Sequence, residues 1–154
     1  PERDILKLCV VERHHATGNV GVGLVQGFGL KTGAIACSVA HDSHNIVAVG
    51  VSDEDILLAI DDILRNQGGL ALAAGGRVLG SLALPIAGLM AEGTLEEVAR
   101  QLEGLHELVT QLGVTIPAPF MTLSFLSLSV IPELKLTDRG LVDLQEFRLV
   151  DLLA

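Results

Sequence analysis

Ile46-Val-Ala-Val-Gly-Val51 runs directly into Ser52-Asp-Glu-Asp-Ile-Leu-Leu-Ala-Ile-Asp-Asp-Ile-Leu-Arg-Asn-Gln67 and stops at Gly68-Gly69. The first part is a short apolar run rich in β-branched residues, and it reads as a buried strand. In the second part Ile56, Leu57, Ile60, Ile63 and Leu64 recur at helical spacing, which predicts a helix over 52–67 with one apolar stripe. Ser52 stands at the capping position, and Asp55 follows three residues later, the capping-box spacing. Asp61 and Arg65 make an i,i+4 pair on the outer face. A strand feeding a capped helix and then a glycine stop is the unit from which the rest of the fold is read.

Downstream, Leu70–Ala74 and Arg77–Leu84 flank Gly75-Gly76, a strong hairpin signal because such turns need positive φ. Thr94–Leu112 is a second capped helix. Glu97 holds the capping-box position, the stripe is Leu95, Val98, Leu102, Leu105, Val109 and Leu112, and Gly113 is the stop. Upstream, Ile5–Glu12 alternates as a strand, and Ala34–Ala40 is a second buried one. Between them Gly18 to Gly33 carries glycines at 18, 21, 23, 27, 29 and 33, which predicts a glycine-bent strand or strand pair. The tail from Pro117 reads as strand and turn, with a serine–leucine alternation over Leu123–Ser129. The expectation is α/β (α+β-like): a single domain, residues 1–154, with a mixed β-sheet and two main helices.

The 154 residues are enough to bury a core without staples. Hydrophobic residues make up 49% and aromatics 3%, so that core is built from Leu, Val, Ile and Ala. Ten basic against nineteen acidic residues give a net charge of −9, and there is no basic, aromatic-bearing face for nucleic acid. The apolar stretches Leu82–Met90 and Leu123–Pro132 are too short to span a bilayer. Cys9 and Cys37 form no pair at metal or redox spacing and read as reduced, buried thiols of a cytoplasmic protein. The first residue, Pro1, is not Met, which predicts a chain cut from something longer.

Chemistry concentrates at His41-Asp-Ser-His-Asn45, five polar residues between two buried strands. Burying so many donors and acceptors costs several kcal/mol unless they find partners, so the segment is either a solvated tip or a site. His41 and His44 have an i,i+3 spacing that a turn can bring onto one metal, with Asp42 as an oxygen ligand. The same residues can instead hold a substrate, with His or Asp moving a proton. The plain alternative is a polar loop whose histidines cap backbone groups. Glu12-Arg13-His14-His15, at the end of the first strand, is a second ionisable cluster whose plain reading is a solvated strand end. His106 reads as a half-buried helix-edge residue. Gly21-Val-Gly23-Leu-Val-Gln-Gly27 is GxGxxxG with no good helix behind it, so it is not a phosphate loop. The zinc-deaminase signature, His-x-Glu with Pro-Cys-x-x-Cys, is absent.

Several segments go further than composition: Val11-Glu-Arg-His-His-Ala-Thr-Gly-Asn19, Gly27-Phe-Gly-Leu-Lys-Thr-Gly-Ala34, Val39-Ala-His-Asp-Ser-His-Asn-Ile46, Leu84-Pro-Ile-Ala-Gly-Leu-Met90, Pro119-Phe-Met-Thr-Leu-Ser-Phe-Leu126 and Val130-Ile-Pro-Glu-Leu-Lys-Leu-Thr-Asp138. In this order they resemble the C-terminal domain of bacterial-type adenine deaminases of the amidohydrolase superfamily, and Phe147–Ala154 resembles the natural end of such a protein. The resemblance implies a parent that hydrolyses adenine to hypoxanthine and ammonia. It implies an upstream TIM-like barrel, absent here, holding manganese or iron through a His-x-His pair and further ligands. This chain contains no His-x-His, and no metal is assigned to it beyond His41 as one candidate ligand. Among residues matching the family motifs, Asp42 and His44 are the catalytic candidates, and Glu12, His14, His15, Ser43 and Asn45 the substrate-binding ones. The implied partners are the amidohydrolase barrel of the same protein, adenine, and further copies in a homo-oligomer, with neither nucleic acid nor membrane.

Three functions follow. The chain is an accessory domain whose polar loops close over or support the barrel's active site, or a non-catalytic binding or oligomerisation module derived from that domain. The third reading, a small metal-dependent hydrolase using His41, Asp42 and His44, suffers from a single loop supplying too few ligands.

Overall fold

The apolar runs pair edge to edge into one antiparallel sheet. In the computed structural model, which describes residues 3–152, its strands are β1 (Ile5–Val11), β2 (Val20–Gln26), β3 (Ala34–Cys37), β4 (Ile46–Gly50), β5 (Gly69–Ala73) and β6 (Val78–Ala83). They lie in the order β2-β1-β4-β3-β5-β6. α1 (Asp53–Arg65) packs on one face, over β3, β4 and β5 and against β6. The opposite face carries α2 (Leu95–Gln111) beside β5 and β6, and α3 (Pro119–Phe125) beside β3 and β4. A small second sheet, β7 (Leu134–Thr137), β8 (Gly140–Asp143) and β9 (Arg148–Val150), lies against β1 and β2.

The period-2 alternation of the strands divides the core in two. Leu6, Leu8, Val10, Ile35, Val47, Val49 and Leu72 face α2 and α3. Cys9, Ala34, Ala36, Ala48, Ala71 and Ala73 face α1. That second face is floored with small residues, so α1 sits close: a Cβ on Gly50 would come within 2.6 Å of Ile56. Ile56, Ile60 and Ile63 are buried there, each stabilising by roughly 1.5–3 kcal/mol.

The α+β-like class and the two main helices stand as expected. The expected mixed sheet is sharper in fact, since among the described residues every strand pairing is antiparallel. Ser52 caps α1 by accepting from the Asp55 N–H at 3.2 Å, but its partner is not reciprocal: Ser52 Oγ donates to the Asp55 carboxylate. Thr94 and Glu97 make the full reciprocal box on α2. Gly75 and Gly76 both adopt positive φ, and the Ala74 N–H closes the hairpin on the Arg77 carbonyl at 3.0 Å.

Four readings change. Gly18–Gly33 is one strand, β2, followed by a loop that inserts Phe28 and Leu30 into the core while the Asp4 carboxylate accepts from the Gly27 and Gly29 N–H groups. Ala34–Ala40 stops as a strand at Cys37, because the backbone of Ser38 turns away. Leu57 and Leu64 of the α1 stripe are exposed, as is Leu95 of α2. The tail begins as a helix: Pro119 fits the first helical turn, where no N–H is needed, and Phe120, Leu123 and Ser124 at i, i+3 and i+4 share the buried face. The Leu–Ser alternation there is a coincidence of composition, and only β7–β9 follow the strand-and-turn expectation. Of Phe147–Ala154, the last two residues lie outside the described ones, as do Pro1 and Glu2.

Candidate functional site

Antiparallel pairing sends alternate connections to opposite ends of the sheet. β1, β3 and β6 finish at the end where β2, β4 and β5 begin. The connections 12–19, 38–45 and 84–93 therefore gather there. Both polar clusters singled out in the sequence thus share one rim, although 31 residues separate Arg13 from His44.

Glu12 organises the first loop. Its carboxylate accepts from the His14 N–H, from the His15 N–H at 2.7 Å, and from the Thr17 N–H and hydroxyl at 3.0 Å. The Thr17 N–H, followed by those of His15 and His14, outweighs desolvation and holds the carboxyl at about 2. Glu12 is thus committed to the backbone of its own loop. His14 then reaches across: its Nε2 lies 2.7 Å from the Ser43 carbonyl, so that nitrogen donates. His15 stays exposed beside it, ring centroids 6.3 Å apart.

Arg13 ties three connections together. Its Nε donates to the His44 carbonyl at 2.5 Å and its Nη2 to the Ala87 carbonyl at 2.6 Å. Such charge-assisted bonds are among the stronger ones available. The guanidinium fits because residue 88 is glycine; a Cβ there would stand 2.4–2.7 Å from its atoms. The Gly88 carbonyl accepts in turn from the wholly buried Ser38 hydroxyl at 2.6 Å, which itself accepts from the Gly69 N–H at 2.8 Å.

The second loop is held at both ends and left open in the middle. The His44 N–H donates to the Ala40 carbonyl, and His44 takes a φ of 50°. Burial lowers the His44 pKa, helped by His41, Arg13 and His14, so the ring is neutral at pH 7. Asn45 is buried and donates to Asp138 at 3.3 Å, and Asn19 donates to the other oxygen of the same carboxylate. Among the described residues the buried His44 Nδ1 and Asn45 Oδ1 find no partner. Leaving each unsatisfied costs about 1–3 kcal/mol, so anything that reorganises the loop and supplies partners gains those bonds. Asp42 and Ser43 are exposed at the tip.

His41 turns toward a cleft of about 250 Å³ between α2, α3 and the end of β3, lined also by Val39, Leu102, His106, Phe120 and Met121. Its ring meets His44 edge-on at 6.3 Å and Phe125 at 5.2 Å. Among the described residues no three His, Cys, Asp or Glu side chains are placed to hold a metal ion. The rim therefore does not fit a metal as it stands, and no chemistry is routed through one here.

The rim assembles Glu12, His14, His41, Ser43, His44 and Asn45, with His15 and Asp42 at its solvent side. It also contains residues the sequence reading did not select: Arg13, Ser38, Asp138 and the loop at Ala87-Gly88. Arg13, Asp138 and Ala87-Gly88 lie inside the family-like segments quoted above, which was the signal available. His106, read as a helix-edge residue, stacks on Phe120 at 6.1 Å in the cleft.

Residues 1–148 match the family described as adenine deaminase C-terminal domain. Adenine deaminase 2 of Carboxydothermus hydrogenoformans is 63% identical over 150 residues, covering 97% of this chain and 26% of that protein. An adenine deaminase of Listeria monocytogenes is 58% identical over 151 residues, and one of Dehalococcoides mccartyi 56% over 149, with the same coverage. The chain thus spans about a quarter of the length of these curated relatives.

Proposed function

We infer, from the premise that this chain belongs to the adenine deaminase C-terminal domain family, that it works as the C-terminal domain of an adenine deaminase. There it closes or supports the active site of a metal-bearing barrel. In the parent reaction adenine and water give hypoxanthine and ammonia, and the manganese or iron this requires belongs to the barrel. The domain covers residues 1–154 of this chain, and the parent is a cytoplasmic homo-oligomer. Among the described residues no helix is long and apolar enough to cross a membrane.

One observation carries this reading: two polar clusters far apart in sequence converge on one rim, bridged by Arg13 and by His14 on Ser43. A solvated strand end and a solvated tip have no need of each other. The rim's residues suit a purine edge. Neutral His44 can accept a proton or donate one, and Asp42 at the exposed tip can do the same. Ser43, Asn45, His14 and His15 offer donors and acceptors for ring nitrogens. Glu12 acts by shaping the loop that presents the two imidazoles. The alternative, a non-catalytic binding or oligomerisation module, keeps the rim but needs no turnover from it.

The test is a chimera. The 150 matching residues of the Carboxydothermus adenine deaminase 2 are exchanged for this chain, and ammonia release from adenine is measured. Near-native turnover is expected from the chimera, and none from this chain alone. A stable but inactive chimera, or activity in a relative lacking the domain altogether, would sink the reading.

A further inference from the structure

We propose that the outward face of β1 and β2, with the adjoining flank of α1, is the surface on which the remainder of the adenine deaminase polypeptide docks. This rests on the reading above and adds the place of contact.

β2 is Val20-Gly-Val-Gly-Leu-Val-Gln26, and its two faces are opposites. Inward, Gly21 and Gly23 let the small sheet press close: a Cβ on Gly21 would sit 1.9 Å from the Thr137 carbonyl oxygen. Outward stand Val20, Val22 and Leu24, which are 52%, 46% and 56% exposed. A strand with one solvated face ordinarily carries polar residues there, and this one carries three aliphatic ones before its single polar member, Gln26. α1 does not cover them, because it packs over β3, β4, β5 and β6, away from β2.

The near flank of α1 extends the same surface. Asp53, Leu57 and Leu64 stand at i, i+4 and i+11, one stripe of the helix. Asp53 pairs with Lys7 of β1, whose strand neighbour is Leu24, so this stripe borders β1 and β2. Leu57 and Leu64 are 65% and 53% exposed. Of the nearest charges, Lys7 pairs with Asp53 and Asp61 with Arg65, which leaves the carboxylate of Glu54 beside Leu57 and Leu64 as the charge the patch offers a partner.

Two facts select the occupant. The chain covers 26% of the Carboxydothermus relative, so nearly three quarters of such a polypeptide lies outside it and must rest somewhere. The connection 12–19 joins β1 to β2, so the polar rim and the apolar face are continuous at Val11 and Val20. A body seated over the rim reaches the face without a gap. A second copy fits less well, because each chain carries a net charge of −9 and pairing copies brings like charges together.

The experiment measures thiol accessibility. Val22→Cys is placed in this chain and in the chimera, and labelling by a maleimide is timed. Leu57→Cys is the second site should Val22→Cys disturb the strand, and exposed Leu95→Cys on α2 is the control. The native thiols are buried, with Cys37 pushed up to about 12, so they label slowly. At least ten-fold slower labelling at residue 22 or 57 in the chimera than in the chain alone is expected, with residue 95 unchanged. Equal rates in an active chimera overturn the proposal. Protection that grows with concentration in the chain alone overturns it too, since a second copy would then cover the face. Adenine turnover reports separately on the proposed function: an inactive chimera with residue 22 protected refutes that function and leaves the docking surface standing.

Discussion

The hairpin and helix cap at one end of the main sheet and the polar connections at the other are built by opposite means. At one end the chain turns through Ala74-Gly75-Gly76-Arg77 and through the short link from Gly50 to the cap at Ser52. Those two are closed by bonds between near neighbours, Ala74 with Arg77 and Ser52 with Asp55, whereas the third connection there, 27–33, is tied by the Asp4 carboxylate to the Gly27 and Gly29 N–H groups. At the other end the connections are long and are closed by bonds between distant residues. Arg13 reaches residues 31 and 74 positions away, and Asn45 reaches one 93 away. The hairpin and the cap at the first end can form as soon as their own residues meet. The second end exists only once the whole sheet has brought its strands together. An end that depends on the fold rather than on itself is a costly way to make a turn and a good way to make a site, because its groups are held from several sides.

If that contrast is functional, the largest effect belongs to the open centre of the far end. In the chimera, Asp42→Ala and His44→Ala are expected to lower adenine turnover by at least about 100-fold, the lower range for a positioned acid or base. Thermal stability should hardly move, since Asp42 is exposed and truncating His44 removes an unsatisfied nitrogen. Steady-state rates together with melting curves decide it. Near-native turnover in both variants makes the loop structural.

A matched pair of substitutions sharpens the difference further. Arg13→Met removes both carbonyl bonds and should cost roughly 1.5–3 kcal/mol, the range for hydrogen bonds to charged groups, discounted because the site is partly exposed. Gly75→Ala meets nothing within 4 Å but must hold a φ of 63°, a strain of about 1–2 kcal/mol. The stability losses are thus similar, while turnover in the chimera should fall about ten-fold for Arg13→Met alone, about 1.4 kcal/mol of lost transition-state stabilisation. Equal turnover in the two variants would mean that Arg13 merely fastens loops.

The same contrast explains what was legible in the sequence. α1, α2 and the glycine hairpin are each specified within a dozen or so residues by a stripe, a cap and a turn, and they stand where the sequence puts them. α3 is hidden in the sequence because seven residues are too few for helical period to outweigh a Leu–Ser alternation. Leu57 and Leu64 obey the stripe but not the burial, because α1 meets the sheet through Ile56, Ile60 and Ile63 over β3 to β6, and periodicity does not tell which edge of a stripe the sheet reaches. At the rim, residue types and the resemblance nominated the two loops. The residues that join them, Arg13, Ser38 and Asp138, have meaning only through partners far along the chain. No local pattern announces an arginine that will bond the carbonyls of His44 and Ala87.

The smallest expected effect concerns pH, and it tests whether the first loop is ordered before any partner arrives. Glu12 has its carboxyl held at about 2, far below the ordinary 4.5, by N–H groups of its own loop. A carboxylate lowered in the folded chain contributes stability that is present above the unfolded value and is lost as pH falls from about 4.5 toward 2. His44, also lowered, works in the same direction at higher pH: its contribution is complete above 6.5 and declines as pH falls below that. Because Glu12 is at the surface, the effect on global unfolding is small, and the place to look is the loop. The amide protons of His15 and Thr17, followed by NMR from pH 7 to 3.5, should hold nearly constant positions, because the carboxylate accepting from them stays ionised throughout. In Glu12→Gln the same two signals should shift at every pH and lose any dependence on Glu12. Should the amides of the unsubstituted chain instead titrate together near 4.5, Glu12 is an ordinary solvated carboxylate. The loop carrying His14 and His15 would then be unformed until something else holds it, and the two ends of the sheet would differ even more than the bonds within this chain imply.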